Sequence, residues 1–239
     1  VFANGDWNPC SMNNLVDHVV SGSPYVSQLL KEKYNVNNSH YLDDALETSD
    51  TPTKNYSEVP DEKVINLGWY GNYTKLYHTK DFIKKLELPE DQFCLKTISN
   101  TPGKNTRQTA DVTMGAETPN PWDNVYIVNY LLDNIDIIVI PINIYDGALV
   151  NHYAKTANRL TLAMSLGIPV VATAIPTYKL IMKHKHNGYF PSRASEWKDI
   201  LIDLKDKSLR EEIGTKTTEH IRKKYHIDNI IRHWINILR

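Results

Sequence analysis

Lys155, Thr156, Asn158 and Arg159 stand together in the run Lys155-Thr-Ala-Asn-Arg159, which the apolar spacing that follows places at the start of a helix. Asn158 and Arg159 come three and four residues after Lys155, so the three fall on one helical face. A lysine in a first helical turn faces the positive end of the helix dipole, which disfavours it unless an anion shares the site. Cations gathered at a helix N-terminus, with its free backbone N–H groups, are chemistry for a phosphate. A solvated cationic face is the plainer alternative. Gly68-Trp-Tyr-Gly71-Asn72 ends an apolar run on glycine, where a missing Cβ lets backbone approach a phosphate; an ordinary turn asks for the same residue. Thr173-Ala-Ile-Pro176-Thr-Tyr178 follows another apolar run and suits either a cleft-lining loop or a connector shaped by proline. No P-loop, GxSxG, HExxH or GxGxxG occurs, so no nucleophile or metal signature stands out. His184-Lys-His186 has no Asp, Glu or Cys at ligand spacing and reads as a solvated loop. Trp69, Trp122, Trp197 and Trp234 read as packing residues.

The elements that must hold these groups alternate in kind. Asp17–Val20 is a short β-like run, and Ser23-Pro24 opens a helix with Tyr25, Val26, Leu29 and Leu30 at helical spacing. Residues 43–61 are polar, with Pro52 and Pro60, which is linker chemistry. They divide the chain into a segment 1–42, the linker 43–61 and a domain 62–239. In that domain the patterning predicts strands over Val64–Tyr70, Phe93–Ile98, Ala110–Met114, Ile135–Ile140 and Ile168–Ala172. It predicts helices over Lys80–Leu86, about 123–132, 154–166, Trp197–Leu204, Leu209–Tyr225 and Asp228–Leu238. Ile135–Ile140 is β-branched at nearly every position, as in a strand buried on both faces of a parallel sheet. Such alternation implies βαβ units and an α/β fold with a doubly wound, mainly parallel sheet. Ligands of these sheets sit outside the carboxyl ends of the strands.

The 239 residues are 41% apolar and 23% charged, a folded globular composition rather than a disordered one. Lys+Arg 27 against Asp+Glu 28 leaves a net charge of -1. That balance argues against a general nucleic-acid binder, so any anion must be held locally. Cys10 and Cys94 stand far apart, which supports no disulfide framework and suits a reducing, cytoplasmic setting. The most apolar stretch, Ile135–Ile144, carries Asp136 and is too short for a bilayer span of about 20 residues. The sequence starts at Val1 with no basic-then-apolar leader, so no secretory signal is visible.

Lys155-Thr-Ala-Asn-Arg-Leu-Thr-Leu-Ala-Met-Ser-Leu-Gly-Ile-Pro-Val-Val-Ala172, followed by Pro176-Thr-Tyr178 and Asn187-Gly188, resembles the donor-binding half of the GT-B glycosyltransferases, group 1 or family 4-like. Gly68–Asn72 resembles the first strand and loop of that C-terminal, Rossmann-like domain. Asp136-Ile-Ile-Val-Ile-Pro141 resembles its D-I-x-x-x-P strand, and Ser195-Glu-Trp197, Leu209–Gly214 and Tyr225 its closing helices. The likeness covers residues 62–239, and Asp17–Leu30 resembles the end of the N-terminal, acceptor-binding domain, so residues 1–42 would be a remnant of it.

The resemblance implies transfer of a sugar from a nucleotide diphosphate sugar to a glycan or lipid-linked acceptor, with no metal and no resident cofactor. Lys155 and Thr156 would meet the diphosphate, Asn158 and Arg159 would support them, and Gly71 and Asn72 would approach from the other side. A lipid-linked acceptor would make the protein a peripheral membrane partner. No catalytic residue is implied, because the family's acceptor domain is not built from 42 residues; the missing domain would come from elsewhere, and the isolated fragment could be inactive. Ala154 and Leu162 depart from the family's Glu-x7-Glu pair, whose second Glu meets the ribose, which leaves the nucleotide open. The last helix would pack onto the 17–30 unit. A non-catalytic α/β nucleotide-binding or scaffold module is the competing reading.

Overall fold

The computed structural model describes residues 16–46, 51–60, 64–100, 110–114, 124–142, 153–216 and 218–239. Strands β1 (Val19–Ser21) and β2 (Ser39–Tyr41) pair in parallel and form a small unit with the helix Pro24–Tyr34 between them. Strands β3 (Ile65–Gly71), β4 (Phe93–Asn100), β5 (Val112–Met114), β6 (Ile137–Ile140) and β7 (Val170–Ala172) form one sheet in the order β5-β4-β3-β6-β7, with every pair parallel. The expected doubly wound α/β architecture is the one present.

Side chains alternate between two cores, which is why β6 and β7 need apolar residues at every position. Ile138, Ile140, Val170 and Ala172 pack on one face with Leu131, Leu160, Met164 and Ile221 from the helices Asn124–Asn134, Asn158–Ser165 and Thr218–Lys224. Ile137, Val139 and Val171 pack on the other with Trp197, Leu201, Leu204 and Ile213, from the helices Ala194–Asp203 and Lys207–Thr215 and the turn between them. Full burial of one such side chain contributes about 1.5–3 kcal/mol. Trp69 and Trp197 are buried as expected.

Several elements differ from the sequence pattern. The helix expected over Leu209–Tyr225 is two, Lys207–Thr215 and Thr218–Lys224. Threonine hydroxyls in this stretch bond back to carbonyls, Thr215 to Glu211 and Thr218 to Gly214, a local competition that weakens a continuous helix. The first helix of the domain starts at Leu76 rather than Lys80, because a turn at Tyr73–Lys75, capped by the Asn72 side chain, feeds straight into it. Thr173–Tyr178 contains a short helix, Pro176–Lys179, with proline at its first position. The last helix, Ile227–Ile237, buries Ile230 but leaves Ile227, Ile231, Trp234 and Ile235 exposed. Its apolar stripe is therefore left largely uncovered, and Trp234 is not a core residue. Trp122 lies outside the described residues.

The described part of the stretch read as a linker is strapped to the larger domain. Lys54 donates through Nζ to the carbonyls of Leu132 and Ile135, 2.6 and 2.8 Å away, closing the C-terminal end of the Asn124–Asn134 helix, where a cation is favoured. Buried Tyr56 donates its hydroxyl to Gly167 O at 2.9 Å. At that point Gly214 meets Gly167: a Cβ on Gly214 would stand 2.2 Å from Gly167 O and 2.8 Å from the Tyr56 hydroxyl.

Replacing a mid-helix glycine by alanine ordinarily stabilises by about 0.5–1 kcal/mol. Gly214→Ala is expected to do the opposite and lower stability by about 1–3 kcal/mol through overpacking against backbone. Chemical denaturation measures the sign, and a stabilised variant would contradict the contact.

Candidate anion-binding site

Helix Asn158–Ser165 begins four residues later than its pattern suggests. Ala157 occupies the N-cap position, and no side chain caps the helix; alanine has no acceptor to offer the first free N–H groups. The late start has a tertiary cause. The Tyr153 carbonyl accepts from the Ser23 hydroxyl at 2.9 Å, and the Lys155 carbonyl accepts from the Thr177 hydroxyl at 2.9 Å. Carbonyls that a longer helix would spend on its own N–H groups are thus held by other elements. Lys155 accordingly sits before the helix, in the approach loop, rather than in its first turn.

This loop, the helix start and the turn after β3 meet at the carboxyl edge of the sheet. Lys155 is half-buried, and burial first, then the charges of Arg159 and Lys75, lower its pKa from the ordinary lysine value. The Arg159 guanidinium lies close to the end of β3: Nη1 is 3.4 Å from Tyr70 O and 3.4 Å from the point where a Cβ on Gly71 would stand. The Tyr70 hydroxyl donates to Arg159 O at 2.8 Å. Fully buried Tyr178 stands near the Arg159 guanidinium; burial raises the Tyr178 pKa despite that cation. Lys155 and Arg159 therefore share one place with an uncapped helix N-terminus, and exposed Lys75, in the turn after β3, is near enough for its charge to act on Lys155, an arrangement that like charges oppose until an anion arrives. Beside it is a cavity of about 200 Å³ lined by Leu46, Tyr70, Asn158, Arg159 and Leu162.

The expected residues do not all converge. Lys155, Arg159 and Gly71 do, and Asn158 lines the adjoining cavity. Asn72 spends its side-chain oxygen on the Thr74 N–H at 3.0 Å. The Thr156 methyl faces Gly22 of the N-terminal unit. Gly68 serves packing, since a Cβ there would lie 2.4 Å from the Ile135 side chain. Lys75 was not singled out by its neighbours in sequence; the available signal is its place, a cation in the turn just beyond the carboxyl end of β3. His184 accepts from Phe190 N at 2.9 Å and stands 3.8 Å from Glu196 in an exposed loop. Among the described residues no three His, Cys, Asp or Glu side chains gather closely enough to hold a metal, and no helix is long and apolar enough to cross a membrane.

No protein-family model matches the sequence, and no curated protein matches it. Solved structures do share the fold. TarM of S. aureus superposes with a TM-score of 0.66 at 15% identity, over 95% of this chain and 44% of its own. HepE of Anabaena, in complex with UDP and glucose, gives 0.67 at 11%, over 95% and 64%. Sucrose-phosphate synthase of Thermosynechococcus elongatus gives 0.65 at 14%, over 96% and 59%. This chain spans less than two thirds of the length of each. At these identities the likeness establishes the fold, and that fold is the GT-B type.

Pyrophosphate tests the cation cluster without presuming a nucleoside. A bound anion favours charged Lys155, while the free protein holds it below the ordinary lysine value. At pH below that lowered value Lys155 is charged in both states and affinity is insensitive to it. As pH rises through that value, binding must take up a proton, and affinity is expected to fall by up to about tenfold per pH unit. Lys155→Arg, which stays charged, should remove this fall. Titration calorimetry across the alkaline range measures it, and equal pH profiles for the two proteins would refute the assignment.

Proposed function

We propose that this chain binds the diphosphate of a nucleotide sugar at the Lys155–Arg159–Lys75 cluster and forms the donor-binding part of a glycosyltransferase. The observation that carries the reading is the convergence of Lys155 and Arg159 on an uncapped helix N-terminus, with the charge of Lys75 acting beside them, at the carboxyl edge of a parallel sheet. The GT-B fold supports it, as does the UDP bound to HepE. The acceptor would be a glycan or a lipid-linked hydroxyl compound; TarM has been solved with UDP and alpha-GlcNAc-glycerol.

Chemically, transfer breaks the bond between the sugar's anomeric carbon and the diphosphate oxygen, and the electron pair stays on the diphosphate. A bond forms from the acceptor oxygen to that carbon, and the acceptor's proton leaves. Negative charge grows on the departing diphosphate, so cations and N–H dipoles already aimed there stabilise the transition state more than the bound donor. Lys155 and Lys75 would flank the phosphates from two loops. Arg159, set beside Tyr70 and Tyr178, would carry a charge that does not titrate. The adjoining cavity would take part of the nucleoside.

Titration with UDP and GDP tests this. A charge-assisted hydrogen bond is worth about 1.5–3 kcal/mol, so Lys155→Ala and Lys75→Ala are each expected to weaken binding about tenfold or more. Lys183→Ala and Lys185→Ala alter exposed side chains in the His184 loop and should stay within about twofold. Equal affinities across all four, or no binding by the wild type, would favour a scaffold module.

A further inference from the structure

We infer that the N-terminal β1–β2 unit is a working part of the anion site, with Ser23 as the positioning residue that latches the Lys155 loop into shape; this rests on the donor-site reading above. Ser23 is buried, and its hydroxyl has two tasks. It donates to Tyr153 O at 2.9 Å, across 130 residues of sequence, and accepts from Val26 N at 3.5 Å as the N-cap of helix Pro24–Tyr34. Ser21 steadies it, bonding through its hydroxyl to the Ser23 N–H and carbonyl at 3.1 and 3.2 Å.

Two more contacts close around the same loop. The Tyr25 and Tyr153 rings meet at 5.3 Å between centroids. Gly22 lies so near Thr156 that a Cβ on it would stand 2.9 Å from the Thr156 methyl and 3.3 Å from the Asp44 carboxylate. Helix Pro24–Tyr34 also touches helix Pro176–Lys179, whose Thr177 holds the Lys155 carbonyl. The connections form a closed circuit: unit to Tyr153, loop to Lys155, Lys155 to Thr177, and Thr177's helix back to the unit. Loop carbonyls 153 and 155 are thereby fixed on both sides of the residue whose ammonium faces the site.

A loop held open or shut by such a circuit couples two equilibria, docking of the unit and binding of the anion. Coupling of this kind is reciprocal. An anion on Lys155 must tighten the unit as much as the docked unit tightens anion binding. A contact that is only architectural would hold the unit in place and leave ligand binding unmoved.

UDP is the probe, with pyrophosphate beside it. Ser23→Asp retains an acceptor for the Val26 N–H but has no hydroxyl hydrogen for Tyr153 O, whereas Ser23→Thr retains both. Ser23→Asp should weaken UDP about fivefold, the worth of one hydrogen bond, and Ser23→Thr should stay within about twofold. Gly22→Ala, which wedges the unit away from Thr156 without touching Ser23, should give a similar loss. In the wild type, UDP should slow hydrogen exchange at Val19 and Leu42, whose amides bond to Asn38 O and Ser21 O, and Ser23→Asp should abolish that protection. Unchanged affinity in both Ser23→Asp and Gly22→Ala, or no UDP-dependent protection at Val19 and Leu42, would overturn the latch. Wild-type protein binding neither UDP nor pyrophosphate would instead overturn the donor-site reading, and the latch with it.

Discussion

Like charges held close together in partly dry surroundings oppose folding, and this chain holds two part-buried ones, Lys155 and Arg159, at the open end of one short helix, with exposed Lys75 adding its charge from the turn after β3. Lys155 registers the opposition directly, since burial and two neighbouring cations lower its pKa. Nothing local to the run Lys155–Arg159 would keep those charges together. The sheet does it: every strand is parallel, so the turn after β3 and the helix that returns to β7 open at one edge. Lys75 comes with the first and Arg159 with the second. The cluster is a consequence of topology before it is a property of any residue.

Topology alone sets such distances only coarsely, and close approaches without a Cβ set them finely. Gly68 admits the Ile135 side chain between β3 and β6, and Gly71 leaves room for the Arg159 guanidinium at the strand's end. Gly214 lets its helix rest on the Gly167 carbonyl, just behind β7. Tyr56 ties the strap to the same carbonyl, and Lys54 closes the helix that leads into β6. The Gly214, Tyr56 and Lys54 contacts lie away from the site, on the elements that lead into or out of β6 and β7, so rigidity there becomes precision at the sheet edge.

The parts legible in the sequence are those whose cause is local or periodic. Ile137–Ile140 advertises two buried faces through its β-branched run, and Lys155, Asn158 and Arg159 cluster within five residues. Lys75 carries no such mark, because its meaning comes from a neighbour 80 residues away. The start of the Asn158 helix was hidden for the same reason: its first carbonyls are taken by Ser23 and Thr177, and no propensity encodes that. Residues 51–60 have the composition of a linker, yet two side chains, Lys54 and Tyr56, bind them to the domain. The apolar period of the last helix foretold its existence but not its exposure, since periodicity says that a stripe exists and is silent on what covers it.

A net charge of -1 places the protein's attraction for anions in one locality rather than over its surface. On the donor reading this has a mechanistic consequence. Cations that must be gathered on binding would spend much of the anion's attraction on their own ordering. Here the repulsion between them is already met by the fold, and the loop carbonyls beside Lys155 are already held. An arriving diphosphate then relieves a conflict rather than creating order, and the relief grows as charge accumulates on the leaving group. The same arrangement that weakens the empty site would favour the transition state over the bound donor, which is the condition catalysis requires.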